Sequence, residues 1–327
     1  MLTDDQLIAA PSPPRDPVVH ELYGIQVRTP WPVAGVVAMK QPWDAEFLRG
    51  DPAMLDEAAG YLDPAQRGHW AQHAVLPDGS RYRRWRGLFD FLVAPDARQI
   101  HARLLGGAHH EALLAYLLVD GLSYAMVRLG REPLHATAVL TDRGVAAFVG
   151  ESGDGKSTLA ALLVGGGCRL VTDDMLVLSH ERDRCLAHPG PPRLKLYREI
   201  ARRIFGSAAD GVPMNPITEK LIVPLTTGQT VRTAAPLIAV YLLGGEDRGC
   251  RAGGEPEICR LSPARAFPRV LAATTGHYST DRQRLTRQIE FVSRLVSRVP
   301  IKTLSYRRDP DGMSALREIV RADVERT

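Results

Sequence analysis

The stretch GESGDGKST, residues 150–158, lies near the middle of this 327-residue chain and decides how the rest is read. Gly150, Gly155, Lys156 and Ser157 fill the pattern G-x-x-x-x-G-K-[ST], with the apolar run VAAFVG before it and the helical run KSTLAALLVGG after it. Strand, glycine loop and helix in that order are the context the pattern needs. The glycines let the backbone curl so that several N–H groups face one phosphate, and the helix N-terminus adds partial positive charge. The loop residues Gly150, Ser152, Gly153, Asp154, Gly155, Lys156, Ser157 and Thr158 are therefore read as the nucleotide cradle. Lys156 reaches the β- and γ-phosphates, and the Ser157 hydroxyl ligates magnesium. Asp154 is expected to turn its side chain to solvent.

Around the loop, strand and helix patterns alternate. LHATAVL and VAAFVG are strands joined by the hairpin signal TDRG, and CRLVTDDMLVLS is one further strand running into two acids. PLIAVYLLGG, DRQRLTRQIEFVSRLVSR, IKTLSY and DGMSALREIVRADVE continue as strand, helix, strand and helix. This predicts an α/β domain over residues 131–327. Before it, residues 1–17 read as a flexible leader with a stiff, exposed PSPPRDP at 11–17, and residues 18–130 as a small β-rich domain with a connecting helix. There VVHELYGIQVRT alternates as a strand, residues 43–75 look helical and irregular, and residues 80–105 give two alternating runs split by APDA.

Composition narrows the classes. Length favours two domains, and 45% apolar residues are enough for real cores. A net charge of +4 reads as ordinary solvated surface. Only five of the 41 basic residues are lysines, namely Lys40, Lys156, Lys195, Lys220 and Lys302, which suggests sites where a compact ammonium matters. The four cysteines lack CxxC spacing and read as reduced thiols, with neither a disulfide framework nor a zinc site. EALLAYLLVDGLSYAMVRLG, residues 111–130, is interrupted by Asp120 and Arg128 and reads as one buried helix, not a membrane span. No basic region followed by an apolar run opens the chain, so no signal peptide is expected and the protein is placed in the cytoplasm. RYRRWRG, residues 81–87, reads as a solvated basic edge strand and not a nucleic-acid reader.

Two acids, Asp173 and Asp174, end the strand that follows the loop. An aspartate there commonly orders magnesium, and two in succession let one face the metal and the other the nucleophile. The alternative is a strand-ending turn with both carboxylates solvated. His135, in PLHATAVL, taken alone reads as a core residue as readily as a catalyst.

His135 precedes Lys156 by 156 − 135 = 21 residues, and Asp173 follows Ser157 by 173 − 157 = 16. With those intervals, His135, GESGDGKST and LVTDD resemble the kinase domain of the HPr kinase/phosphorylase family. YGIQVRTPWPVAG, EALLAYLLVDGLSYAMVRLGREPLHATAV, PGPPRLKLY and VPIKTLSYRRD resemble a bacterial branch of related kinases. That branch includes kinases that phosphorylate a serine near the C-terminus of lasso-peptide precursors. The resemblance covers roughly residues 20–320. It implies a P-loop catalytic domain of the PEP-carboxykinase-like type behind a small β-rich domain, using ATP and Mg2+ to phosphorylate a serine of a peptide or protein. It also implies roles. Asp173 is the general base, His135 tunes it, Asp174 and Ser157 hold magnesium, and Lys156 neutralises the transferring phosphate. The expected partners are a precursor peptide and further copies of the chain, with neither a membrane nor a nucleic acid. Where the bifunctional family carries EIRG, this chain reads PGPPRLKLYREI, with Glu199 only nearby, so a kinase without the reverse phosphorylase reaction is expected. Arg193, Lys195 and Lys220 are candidates for gripping substrate or phosphate, or are plain surface residues.

Other readings are weaker. No LSGGQ-like signature marks a transport motor, and Met175, not a glutamate, follows Asp174. No N-K-x-D guanine reader is present. A nucleotide-sensing module without turnover conflicts with an intact Lys156, Ser157 and acidic pair. A kinase of a small metabolite is the nearest alternative.

Overall fold

Short alternating segments build the first sheet. They are β1 (Val18–Leu22), β2 (Ile25–Thr29), β3 (Ala38–Met39), β4 (Ala45–Arg49), β5 (Ala71–Val75), β6 (Arg81–Trp85), β7 (Phe89–Val93) and β8 (Gln99–Leu104), in the order β3-β1-β2-β4-β8-β7-β6-β5. The structure is a computed structural model and describes residues 17–36, 38–39, 42–106, 108–206, 211–244, 256–274, 281–306 and 313–327. The expected leader lies outside these residues except for Pro17, as do Lys40, Cys250 and the RRD that ends VPIKTLSYRRD.

The expected helical stretch at 43–75 resolves into β4, the helix α1 (Pro52–Ala59) and β5, with only α1 and one short 3-10 turn helical. Pro52 at its first turn and the Asp51 carboxylate, accepting from Ala53 N, start α1. The two runs expected over 80–105 are three strands, because the chain turns at Gly87 with φ of +71°. β6 lies between β5 and β7 and is not an edge strand. Its arginines are spoken for. Arg84 and Arg103 hold the fully buried Asp90, and Arg83 is itself buried and reaches towards Asp120.

The apolar stretch 111–130 is not one regular helix. α2 (His110–Tyr116) passes through a π-turn at Leu117–Gly121 into α3 (Leu122–Arg128). A side chain inserted among a helix's carbonyls is a recognised cause of such a distortion. Here Arg193 donates to Leu114 O at 2.9 Å and Lys195 to Ala115 O at 3.2 Å, just where the α-helical ladder gives way.

The second half opens with the expected hairpin, β9 (Ala136–Leu140) and β10 (Val145–Val149), and then α4 (Lys156–Gly165). Where one strand was expected over 168–179 there are two, β11 (Arg169–Thr172) and β12 (Val177–Glu181), broken at Asp173–Asp174. The elements β13 (Arg184–His188), β14 (Arg193–Tyr197), α5 (Arg198–Phe205), β15 (Val212–Asn215) and β16 (Thr218–Pro224) follow. Then come β17 (Ala235–Leu243), β18 (Glu257–Arg260), α6 (Pro263–Ala272), α7 (Arg282–Arg298), β19 (Ile301–Ser305) and α8 (Met313–Glu325). β10, β17 and β19 pair in parallel at the centre of the second sheet. Their continuous apolar sequences fit strands covered on both faces, and every residue of β10 is buried. One core lies between this sheet and α6 and α7, and another lies against α4, α5 and α8. β14, β16 and β15 form a separate three-stranded antiparallel sheet. The fold is thus mixed α/β with several sheets. No helix among the described residues is long and apolar enough to cross a membrane.

The tip of the β1–β2 hairpin ties the first sheet to the second half. Tyr23 and Gly24 both have positive φ, +56° and +73°, as a tight two-residue hairpin turn with primed geometry requires. Tyr23 is fully buried, its N–H donates to Pro189 O at 2.7 Å, and its carbonyl accepts from Arg131. A Cβ on Gly24 would stand 2.3 Å from the His188 ring. Gly24→Ala therefore combines a left-handed backbone with a collision. It is expected to lower the unfolding free energy by about 2 kcal/mol, read as a lower midpoint in denaturant titration at unchanged slope.

Candidate active site

The glycine loop bends as its sequence requires. Gly153 and Gly155 adopt φ of +96° and +89°, and Gly155 is the N-cap residue of α4. α4 holds its place because Leu159, Ala160, Leu163 and Val164, spaced at three and four, are all buried. Lys156 lies along the loop, its Nζ donating to Gly150 O at 2.8 Å and to Glu151 O at 2.9 Å. It is 5% exposed, and burial lowers its affinity for a proton against the pull of Asp174, Asp173 and Asp154. Asp154 does not turn to solvent. Its carboxylate accepts from Glu151 N at 2.6 Å and packs against the Cα atoms of Gly150 and Gly244, while Tyr306 Oη donates to its carbonyl at 3.0 Å. Asp154 is thus a brace within the loop.

The acidic pair divides sharply. Asp173 directly follows β11, is 7% exposed, and accepts three hydrogen bonds. Thr137 Oγ1 and Ser157 Oγ donate to its Oδ1 at 2.7 and 2.8 Å, and Lys195 N donates to its Oδ2 at 2.9 Å. Burial and the Asp174 charge push its carboxyl upward, and the bonds from Thr137 and Lys195 oppose them. Asp174 follows with a left-handed backbone, φ +69°, a conformation that aspartate tolerates better than most residues. That turn swings its side chain into the cleft, where Lys195 Nζ pairs with Oδ2 at 2.5 Å. The carboxyl is buried, yet the adjacent ammonium, reinforced by His135 and Lys156, holds it down at about 2.

His135 sits just before β9. Its Nδ1 is 3.0 Å from the Asp174 main-chain oxygen, not from either carboxylate. A carbonyl oxygen only accepts, so Nδ1 carries the proton and the neutral ring offers Nε2 to the cleft that it lines. Burial and then Lys156 keep the ring's pKa below its ordinary value, against the Asp174 charge.

The cleft has a volume of about 960 Å³. Its walls join the glycine loop and His135 to Asp174, Lys195 and Lys220, and to one face of the π-turn segment with Tyr116, Asp120 and Ser123. Lys220 lies over the Tyr197 ring at 5.4 Å, and Lys195 over Tyr116 at 5.8 Å. Arg193 is not part of the cleft wall. It is 8% exposed and braces α2, through Glu111 at 3.2 Å and Leu114 O. Glu199 is exposed on the first turn of α5. Sequence reasoning missed several contributors, Thr137, Tyr116 and Ser123 among them, and two charged ones stand out. Asp120 registered only as a charge interrupting an apolar run, and Arg269, which also lines the cleft, donates to Gly244 O at 3.0 Å.

The residues fit a nucleotide with magnesium. Among the described residues no group of three His, Cys, Asp or Glu could hold a metal alone. A P-loop magnesium takes only a hydroxyl and a carboxylate from the protein and the rest from phosphate and water. Ser157 Oγ and Asp173 Oδ1 stand together as that pair.

No protein-family model and no curated protein matches the chain. Among solved structures the chain is similar to the HPr(Ser) kinase/phosphatase from Coxiella burnetii. The two are 12% identical over 59% of this chain and 97% of that one, with a TM-score of 0.34. At that distance the reading of the site rests on its own geometry.

The imidazole gives a direct check. By NMR, His135 should titrate below 6.5, its ordinary value. Replacing Lys156 by Met removes a repelling cation and should raise that midpoint, whereas Asp174→Asn removes an attracting anion and should lower it. Shifts of the opposite sign would place the ring elsewhere.

Proposed function

We propose that this chain is an ATP-dependent kinase that transfers the γ-phosphoryl group to a hydroxyl, most simply a serine of a peptide or protein, in the manner of the HPr kinase-like family. The observation that carries this reading is the division of the acidic pair. One carboxylate is bonded to the glycine-loop serine, and its neighbour is turned into the adjoining cleft beside a lysine and a histidine. A hydrolytic motor needs a residue that activates water, and a binding module needs no second carboxylate in the cleft. A hydroxyl kinase needs both a metal side and an acceptor side.

The roles follow the two sides. Asp173 and Ser157 hold magnesium, which when bound draws charge from the phosphate oxygens. This exchanges the roles expected for the two aspartates from the resemblance. Asp174 orients the acceptor hydroxyl. As the bond from that oxygen to the γ-phosphorus forms and the β–γ bridging bond breaks, the hydroxyl proton passes to the Asp174 carboxylate. A weak base suffices, because the proton leaves late in a loose transition state. Lys195 keeps Asp174 ionised, His135 fixes its main chain, and Lys156 neutralises the transferring group. Lys220 stands where it can meet charge on the substrate. The acceptor we favour is a ribosomally made precursor peptide of the lasso type, which the sequence pattern supports. A cleft of this volume also suits a small metabolite kinase.

Incubation with γ-labelled ATP, magnesium and serine-bearing precursor peptides tests the reading. Lys156→Ala should lower transfer by about 10²–10³-fold and weaken nucleotide binding. Asp174→Asn should abolish transfer with nucleotide affinity nearly intact. Asp173→Asn and Ser157→Ala should instead lose the magnesium-dependent part of that affinity. Full transfer by Asp174→Asn, or release of free phosphate with every acceptor, would overturn the assignment.

A further inference from the structure

One wall of the cleft comes from the α2–α3 segment, and Asp120 is the charged group among its described lining residues. The residue stands inside the π-turn Leu117–Gly121. Such turns are frequent at functional sites. Ser123 Oγ donates to the Asp120 carbonyl at 2.6 Å and fixes the turn's far end. Among the described residues the carboxylate has one ion-pair partner, Arg83, at 3.9 Å, which is too long for a hydrogen bond. Arg83 also lies over the Trp85 ring at 5.1 Å, and so approaches from the first sheet. Lys195 carries charge of the right sign but is committed to Asp174 and to Ala115 O. Asp120 keeps 35% of its side chain exposed, and that face is turned to the cleft. A carboxylate largely withdrawn from water and loosely paired is stabilised by any donor cation that enters.

We propose that Asp120 is the acceptor-reading residue of the cleft, receiving an ammonium or guanidinium group that lies beside the hydroxyl to be phosphorylated. The proposal rests on the kinase reading and narrows its substrate class to hydroxyls with a neighbouring positive charge. Two sources share that chemistry: a serine flanked by lysine or arginine in a peptide, and a free amino alcohol. An acidic group placed beside Asp120 would meet repulsion there and would have to turn towards Lys220 instead.

The experiment uses the full chain with γ-labelled ATP and magnesium against three sets of probes. These are a serine peptide library randomised at the flanking positions, the amino alcohols ethanolamine and L-serinamide, and their uncharged analogue ethylene glycol. Asp120→Asn keeps the shape and removes the charge, while Asp120→Lys reverses it. Nucleotide binding and thermal melting report whether each variant is folded. Preference for Lys or Arg beside the serine, reduced about tenfold by Asp120→Asn and turned towards Glu or Asp by Asp120→Lys, supports the peptide source. Transfer to the amino alcohols over ethylene glycol, lost in Asp120→Asn, supports the free one. Transfer with no charge preference, or with a preference unchanged in Asp120→Asn, overturns the inference and leaves the kinase reading standing. Nucleotide binding with no transfer in any arm overturns the kinase reading itself, and the inference falls with it.

Discussion

One carboxylate organises the second half of this protein. Asp173 is almost withdrawn from water, and a buried anion is tolerable only when its lone pairs are filled. Thr137 from β9, Ser157 from α4 and the Lys195 amide from β14 fill three of the four. Three elements distant in sequence are thereby fixed to the end of β11 at a single point. The hydroxyl of the glycine loop, the start of the lysine-bearing strand and the strand that follows His135 all take their positions from it. Because its neighbour must then leave the strand, the left-handed step at Asp174 follows from the same constraint.

The first sheet is not an independent attachment. Tyr23, at the tip of the β1–β2 hairpin, is buried among residues of the second half. Arg193 and Lys195 reach from β14 into the carbonyls of α2. Of the three cations that the sequence offered for substrate, phosphate or plain surface, Arg193 and Lys195 differ in what they do. Arg193 is spent on the architecture, while Lys195 serves both the helix and the Asp174 carboxylate. A residue type was legible in each case; how its donors are divided was not, because that depends on which carbonyl a helix turn leaves open.

The central hairpin, the glycine loop, α4, β17, α7 and β19 were readable because each carries an uninterrupted local pattern: apolar runs, a glycine loop with fixed spacing, or a 3.6 period. The break between β11 and β12 was not, since Asp173 and Asp174 interrupt an otherwise continuous apolar run and a left-handed aspartate leaves no mark in composition. The three strands over 80–105 were hidden because Arg83 and Tyr82, on opposite faces, are both buried, which erases the alternation an exposed face would show. Asp154 looked solvated because charge in a loop usually is, and only the fold brings the glycines against which it packs. The site was legible in its motif residues and illegible on its far wall, where a π-turn changes which residue faces the cleft.

That turn has an evolutionary corollary. A π-turn is a helix carrying one residue more than its hydrogen-bond ladder can absorb, so its natural origin and its natural loss are single-codon insertions and deletions. Removing one residue between 117 and 121 would restore the ordinary ladder and rotate everything on one side of it by about 100° relative to the other. Point substitutions alter which group stands on the wall; a length change alters which position does. If Asp120 reads the acceptor as proposed, a one-residue deletion at this place would put a different position on that wall.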